Sequence, residues 1–236
     1  EVRSIVGELD RDRLVTLTGA GGVGKTRLAA QAAAELVDRF PGGVWWVELA
    51  PLHDGSAIAS TLLAAMGANE DGARPAAQVV IDRLASAPSL VVLDNCEHLI
   101  APAAELVAAL LGRCPGLVVL ATSREPLGLP AEVTWRVPSL SLPPTDAAPT
   151  IEGLSQYDAV RLFLDRARRA RPQLTLSDVQ IAAVADICHR LDGVPLAIEL
   201  AAARCRQLPP EQINRQLDDR FHLLTGGSRT LMPRQQ

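Results

Sequence analysis

A stretch of eight residues has the types and the spacing needed to hold phosphate groups. It runs Gly-Ala-Gly-Gly-Val-Gly-Lys-Thr over residues 19–26 and matches the pattern G-x-x-x-x-G-K-[ST] of a phosphate-binding loop. Its glycines let the backbone turn tightly and point successive N–H groups at phosphate oxygens. The alternative is a glycine-rich turn that contains a lysine by chance. The predicted nucleotide-binding residues of this segment are Gly19, Ala20, Gly21, Gly22, Val23, Gly24, Lys25, Thr26 and Arg27.

Two side chains of this loop are suited to triphosphate and magnesium chemistry. Lys25 is the only lysine in a chain that otherwise uses arginine for positive charge, and its flexible ammonium would reach the β- and γ-phosphates. The Thr26 hydroxyl would take one coordination position of Mg²⁺. The helix-forming residues that follow place a helix N-terminus and its dipole at the phosphates. The segment is therefore predicted to bind a nucleotide together with Mg²⁺.

Two further side chains follow apolar segments that are typical of strands. Asp94 ends the segment 90–94, where a carboxylate would hold Mg²⁺ through water; the alternative is an aspartate that caps the next helix. Arg124 follows residues 117–122, at the edge where open α/β sheets bind ligands, and would sense the γ-phosphate; the alternative is a surface arginine. We predict Lys25, Asp94 and Arg124 as catalytic residues, and Thr26 and Asp94 as metal ligands.

The elements that position these residues alternate between strands and helices. Strands are predicted over residues 14–18, 44–49, 90–94, 117–122 and 133–137, the last of them at a sheet edge. Helices are predicted over residues 25–39, 56–66, 76–87 and 99–111, with a loop over residues 68–75. This alternation indicates an α/β fold with a parallel sheet.

Beyond the Ser-, Pro- and Thr-rich residues 138–149, strand patterns stop and helical patterns follow. Ser155 is predicted to cap a helix, Ser177 to form a capping box with Gln180, and Pro195 to occupy the first turn of a further helix. We predict a nucleotide-binding domain over residues 1–140, a linker over 141–152, a helical domain over 153–224 and an exit linker over 225–236.

Composition and charge disfavour several functions. The chain has 236 residues, a formal charge of −4 and 3% aromatic residues, which disfavours nucleic-acid binding through charge or base stacking. Arg166, Arg168, Arg169 and Arg171 form a cluster that could suit nucleic acid, but Asp158 and Asp165 lie one helical turn from Arg161 and Arg169, which favours an ion-paired surface. The four scattered cysteines indicate buried thiols in a reducing compartment. Without a long apolar stretch or a signal peptide, the chain is expected to be soluble and cytoplasmic, with no membrane partner.

Several segments, taken in order, resemble a known family. They are GAGGVGKTRLA at 19–29, LVVLDNCEHL at 90–99, ATSREPL at 121–127, DGVPLAIELAAAR at 192–204 and the tail LLTGGSRTLMPRQQ. Together they resemble the NB-ARC-type nucleotide-binding domain of STAND ATPases, in particular bacterial regulators of the AfsR kind, which include the larger Streptomyces antibiotic regulatory proteins.

The resemblance implies a P-loop NTPase three-layer α/β/α fold of the additional-strand type, with strand order 2-3-4-1-5 and a small helical lid. It implies that Arg124 senses the γ-phosphate and that Pro195 packs on the adenine. In such proteins ADP favours a closed resting state, and ATP favours an open form that self-associates. The resemblance thus implies a slow ATPase acting as an ATP/ADP switch, with flanking domains and a second copy of the chain as partners and DNA contacted through other domains.

Three features depart from the family's pattern. Asn95 occupies the second acidic position of the Mg²⁺ motif and cannot act as a base, and Glu97 is nearby but off the motif, so slow hydrolysis is expected. The family's upstream Gly-Arg-Glu segment and its winged-helix domain are also absent from these residues, so weak nucleotide retention is expected. The alternative function is a turnover P-loop enzyme, such as a small-molecule kinase or an ATP-driven motor. No Asn-Lys-x-Asp guanine motif is present, and the preference for adenine is implied by the resemblance alone.

Overall fold

Five short apolar segments form one parallel sheet in a computed structural model of the chain, which describes residues 1–68, 74–145 and 150–217. The strands are β1 (Leu14–Thr18), β2 (Val44–Glu48), β3 (Ser89–Asp94), β4 (Leu117–Ser123) and β5 (Val133–Arg136). They are arranged in the order β2-β3-β4-β1-β5, with every neighbouring pair parallel. This order confirms the one implied by the family resemblance, and β5 lies at the predicted sheet edge.

Helices cover both faces of the sheet, which gives the predicted three layers. The helices of this part are α1 (Val2–Leu9), α2 (Lys25–Glu35), α3 (Ala57–Ala65), α4 (Ala76–Leu84) and α5 (Ile100–Arg113). Successive strand residues point to opposite faces. Thus Leu90 and Val92 pack in the core that includes α1 and α2, while Val91 and Leu93 pack in the core that includes α3, α4 and α5. Strands buried on both faces explain the continuous apolar runs in the sequence.

Some helix ends differ from the predicted ones. The helix predicted to reach residue 39 ends at Glu35 and is followed by a 3-10 turn, Val37–Arg39. Pro41 disfavours helical backbone at the residue before it, which is consistent with this early end. The helix predicted over 76–87 ends at Leu84, and most of the loop predicted over 68–75 lies outside the described residues.

The chain divides into two compact units between Pro138 and Ser139. In the second unit the helices are α6 (Ile151–Leu154), α7 (Asp158–Ala170), α8 (Asp178–Arg190), α9 (Pro195–Ala203) and α10, which covers residues 210–217. Phe163, Ile187 and Ile198 are fully buried at the centre of this helical core. The predicted exit linker, residues 225–236, lies outside the described residues.

Local signals for helix starts in the second unit had mixed outcomes. Ser177 and Gln180 form the predicted capping box, and Pro195 is the first residue of α9, as predicted. The prediction for Ser155 was wrong, because this residue lies at the C-terminal end of α6. The N–H of Asp158, the first residue of α7, instead donates to the hydroxyl of Ser141 at 2.8 Å, a contact across a long stretch of chain that no local pattern indicates.

Hydrogen bonds fix the chain on both sides of the division between the units. In the first unit, the N–H of Val137 donates to the Thr18 carbonyl at 2.8 Å. In the second, the N–H of Leu140 donates to the Gly193 carbonyl at 3.0 Å, and Leu140 also packs against the helical core. Gly193 has φ of +65°, and a Cβ at this position would lie 2.6 Å from the Leu140 carbonyl oxygen, so glycine is required here. Segment 139–140 is thus attached to the helical unit.

Candidate nucleotide site

The phosphate loop lies between the end of β1 and the start of α2. Gly24 precedes α2 with φ of +105°, and Gly22 has φ of +79°, conformations that glycine adopts without strain. A Cβ at Gly24 would have no heavy atom within 4 Å, so there is open space beside this residue of the loop. The loop therefore presents backbone groups and the first turn of a helix to a ligand, as a phosphate-binding loop requires.

Lys25 is buried, with 8% of its surface exposed, and its ammonium lies within the loop. Its Nζ donates to the carbonyls of Gly19 at 2.9 Å and Ala20 at 3.1 Å. Burial lowers the pKa of Lys25 from its ordinary value of 10.5; the carboxylate of Glu97 opposes this shift, Arg124 adds to it, and Asp94 opposes it. The lysine thus stabilises the loop through these two hydrogen bonds, and its charge lies beside the predicted phosphate position.

Hydroxyl groups from the loop and from β4 converge on one carboxylate oxygen at the end of β3. Asp94 is 6% exposed, and its Oδ1 accepts hydrogen bonds from Thr26 Oγ1 at 2.8 Å and from Thr122 Oγ1 at 2.6 Å. The Thr122 hydroxyl in turn accepts a hydrogen bond from the N–H of Asn95 at 3.0 Å. These bonds connect the loop to two neighbouring strands and hold Asp94 facing Thr26.

The oxygen atoms of Thr26 and Asp94 fit a magnesium ion. Mg²⁺ prefers oxygen ligands and is usually bound by one or two protein groups together with phosphate oxygens and water. A larger protein ligand set is not expected, and within residues 1–68, 74–145 and 150–217 no group of three or more His, Cys, Asp or Glu side chains could hold a metal ion. The magnesium assignment of Thr26 and Asp94 stays a prediction.

Arg124 follows β4 and lies beside the loop. Its Nη2 is 3.8 Å from the position that a Cβ would take at Gly21, and its Nε donates to Glu97 Oε1 at 3.1 Å. The arginine is 68% exposed, whereas its partner Glu97 is 16% exposed. The guanidinium therefore forms a defined contact with a carboxylate at the rim of the loop, and its role as a sensor of the γ-phosphate stays a prediction.

The other predicted site residues differ in how they could contribute. Val23 is buried in the core beneath the loop, so only its backbone can face a ligand, and Arg27 is exposed on α2. Pro195 lies in the second unit, and its contact with adenine stays a prediction. The sequence analysis assigned no role to Thr122. The signal that could have identified it is a hydroxyl side chain at the end of β4, the strand next to the one that ends in Asp94.

Several arginines of α7 form ion pairs. Arg161 pairs with Asp158, and Arg169 Nε lies 3.2 Å from Asp165 Oδ2, both as the helical spacing predicts. Arg166 Nε also donates to Glu199 Oε1 of α9 at 3.0 Å. These contacts pair Arg166 and Arg169, two of the four clustered arginines, with carboxylates and favour the ion-paired interpretation over a nucleic-acid interface. None of the helices in the described parts of the chain combines the length and the apolarity that crossing a membrane requires.

A family model described as an AAA domain matches residues 8–126, which contain the loop, β3, Arg124 and Glu97. The chain is 48% identical over 230 residues to the "Putative HTH-type transcriptional regulator Rv0890c" of Mycobacterium tuberculosis, a match that covers 97% of this chain and 24% of the relative. The chain therefore spans about a quarter of the length of this curated relative.

Two solved structures share the fold. One, described as "Structure of Drosophila ORC bound to DNA", matches 99% of this chain and 68% of its own with a TM-score of 0.60 and 15% identity. The other is a Signal Transduction ATPase with Numerous Domains (STAND) protein with a tetratricopeptide repeat sensor from Pyrococcus horikoshii. It matches 92% of this chain and 32% of its own with a TM-score of 0.50 and 16% identity. At such identities the likeness concerns the fold alone.

Proposed function

The chain belongs to the AAA domain family of P-loop NTPases, and from this premise we propose that it is an ATP- and ADP-binding regulatory switch with slow ATPase activity. The observation that carries the proposal is the hydrogen bond between Thr26 and Asp94 at 2.8 Å, beside the buried ammonium of Lys25. It brings the two predicted magnesium ligands together next to the charge that would contact the β- and γ-phosphates. No other described arrangement in the chain offers this combination.

The proposed switch depends on contacts that differ between ATP and ADP. A ligand shifts a conformational equilibrium only through its different affinities for the two states. Arg124 lies beside Gly21 with its Nη groups available, because the described hydrogen bond to Glu97 uses Nε. We assign it the recognition of the γ-phosphate, which ATP has and ADP lacks. Pro195 is assigned to the adenine, as the family resemblance implies.

The relatives suggest the setting of this switch. The chain matches about a quarter of a protein named as an HTH-type transcriptional regulator, which leaves room for further domains in proteins of that kind. We propose that the nucleotide state controls flanking DNA-binding and repeat domains and an ATP-dependent self-association. DNA would be contacted through those domains, which agrees with the ion-paired surface of α7.

The first experiment identifies the nucleotide and its binding residue. Heat-denaturation of the purified protein, followed by ion-exchange chromatography, should release ADP if the site retains it, and calorimetric titration of ADP and ATP with Mg²⁺ measures affinity in either case. Lys25→Ala should keep the fold but weaken ATP binding by about tenfold or more, since a charge-assisted contact is lost. Arg3→Ala removes the same charge from an exposed position on α1 and should leave the affinity unchanged.

Two outcomes would count against the proposal. Equal ATP affinity in Lys25→Ala and the wild type would refute the phosphate-loop assignment. Steady turnover of about 1 s⁻¹ or faster, the usual range of enzymes, would favour a kinase or motor over a switch.

A further inference from the structure

Asn95 occupies the position where the family's motif has a second acidic residue, and its backbone has a conformation that favours asparagine. It has φ of +66° and ψ of +54°, a left-handed conformation that asparagine tolerates better than most residues. Its side-chain Nδ2 lies 3.5 Å from His98 Nδ1, so the amide is directed towards the following turn. Asn95 therefore turns the chain sharply after β3 and supplies no base.

That turn brings Glu97 to the rim of the phosphate loop. Residues Cys96–His98 form a 3-10 turn, in which Glu97 is 16% exposed. Its Oε1 accepts the hydrogen bond from Arg124 Nε at 3.1 Å. Its Oε2 is buried and has no hydrogen-bond partner among the described residues. A buried carboxylate oxygen without a donor is costly unless a ligand or water supplies one.

The carboxylate of Glu97 lies close to the phosphate loop. Its partner Arg124 has Nη2 3.8 Å from the Cβ position of Gly21, at the apex of the loop. Among the charged neighbours that shift the pKa of Lys25, Glu97 has the largest effect, ahead of Asp94. Glu97 thus faces the same region as the lysine that would contact the γ-phosphate.

We propose that Glu97 is the general base that activates the attacking water during ATP hydrolysis, with Arg124 as the residue that orients it. This inference rests on the proposed nucleotide site. Arg124 holds Oε1 through its Nε, which leaves Oε2 to accept a hydrogen bond from water, the usual arrangement of a base oriented by a third group.

In the step itself, the water oxygen forms a bond to the γ-phosphorus and the bond between that phosphorus and the β–γ bridging oxygen breaks. The bonding electron pair leaves with ADP. The water proton passes to Glu97 Oε2 and then to solvent, which regenerates the carboxylate.

The test separates binding from hydrolysis. In the 236-residue protein with excess protein over ATP and with Mg²⁺ present, Glu97→Gln should slow single-turnover hydrolysis by about 100-fold or more, the lower range for general-base catalysis. ATP affinity measured by calorimetry should stay within about twofold, a small free-energy change. Glutamine still offers Arg124 an acceptor, so the loss cannot come from freeing the arginine. Glu125→Gln removes the same charge from an exposed residue next to Arg124 and serves as the matched control.

Each outcome is decisive. Hydrolysis lost in Glu97→Gln, kept in Glu125→Gln and partly restored in Glu97→Asp would support the inference. Wild-type hydrolysis in Glu97→Gln would overturn it, as would a wild type that binds ATP but does not hydrolyse it in a single turnover. If Glu97→Gln loses ATP affinity as strongly as Arg124→Gln, Glu97 only positions the arginine, and the base assignment is wrong. A wild type that binds no nucleotide would instead overturn the proposed function itself.

Discussion

The hydroxyl of Thr122 is expected to make a large contribution to the stability of the first unit. It is 1% exposed, donates to Asp94 at 2.6 Å and accepts the N–H of Asn95 at 3.0 Å. Thr122→Val keeps the shape but removes both bonds. Losing a hydrogen bond to a charged group costs about 1.5–3 kcal/mol, and leaving the partly buried N–H of Asn95 unpaired costs about 1 kcal/mol, the lower end of the range for a buried group. Burying the additional valine methyl group stabilises the protein by about 1 kcal/mol, so we expect a net loss of about 1.5–3 kcal/mol in the free energy of unfolding.

Urea unfolding followed by tryptophan emission measures this loss selectively. All three tryptophans, Trp45, Trp46 and Trp135, belong to the first unit, so their emission does not report on the helical unit. Thr122→Ser keeps the hydroxyl and should lose only about 1 kcal/mol for its methyl group. The reasoning is refuted if Thr122→Val lies within about 1 kcal/mol of the wild type, or if serine destabilises as much as valine.

Three further predictions concern the nucleotide site, the helical unit and the thiols. Because burial lowers the pKa of Lys25 below 10.5, its positive charge is lost at a lower pH than usual. Nucleotide affinity measured by calorimetry should therefore fall as pH rises towards 10.5 in the wild type but not in Lys25→Ala, and an unchanged wild-type affinity would contradict this. Gly193→Ala should destabilise the helical unit by about 1–2 kcal/mol or more, because alanine is strained at positive φ and its Cβ would clash with Leu140. The midpoint of unfolding measured by far-ultraviolet circular dichroism should fall, while the midpoint measured by tryptophan emission should not change. An equal fall in both midpoints would exclude an effect confined to the helical unit. All four cysteines are buried, and burial raises the pKa of Cys96 and Cys188 to about 12. Ellman's reagent should therefore react with them only after unfolding, and rapid labelling of native protein would show that the thiols are accessible.

Much of the first unit could be predicted because its signals are local. The phosphate loop is a contiguous motif, and buried parallel strands have continuous apolar runs that end in polar residues such as Asp94 and Thr122. The order of the strands in the sheet cannot be predicted from the pattern within any one segment; it was implied by the family resemblance.

What the sequence could not predict depends on contacts across the fold. The bond from Thr122 to Asp94 requires the register of β3 against β4, which places Ala121 opposite Leu93. The pairing of Arg124 with Glu97 requires the left-handed turn at Asn95. From the sequence, Asn95 was noted only because it replaces an acidic residue of the motif. Each of these side chains has its partner on a different segment, and periodicity within one segment does not identify such a partner.

The hydrogen bonds on either side of Pro138 limit how the two units could reorient. Val137 is bonded to β1 in the first unit, and Leu140 is bonded to Gly193 in the second, so only Pro138 and Ser139 lie between the fixed points. Each residue has two soft dihedral angles, and the proline ring fixes one of those of Pro138. Any change in the orientation of one unit against the other would therefore be taken up by the few backbone dihedral angles at Pro138 and Ser139.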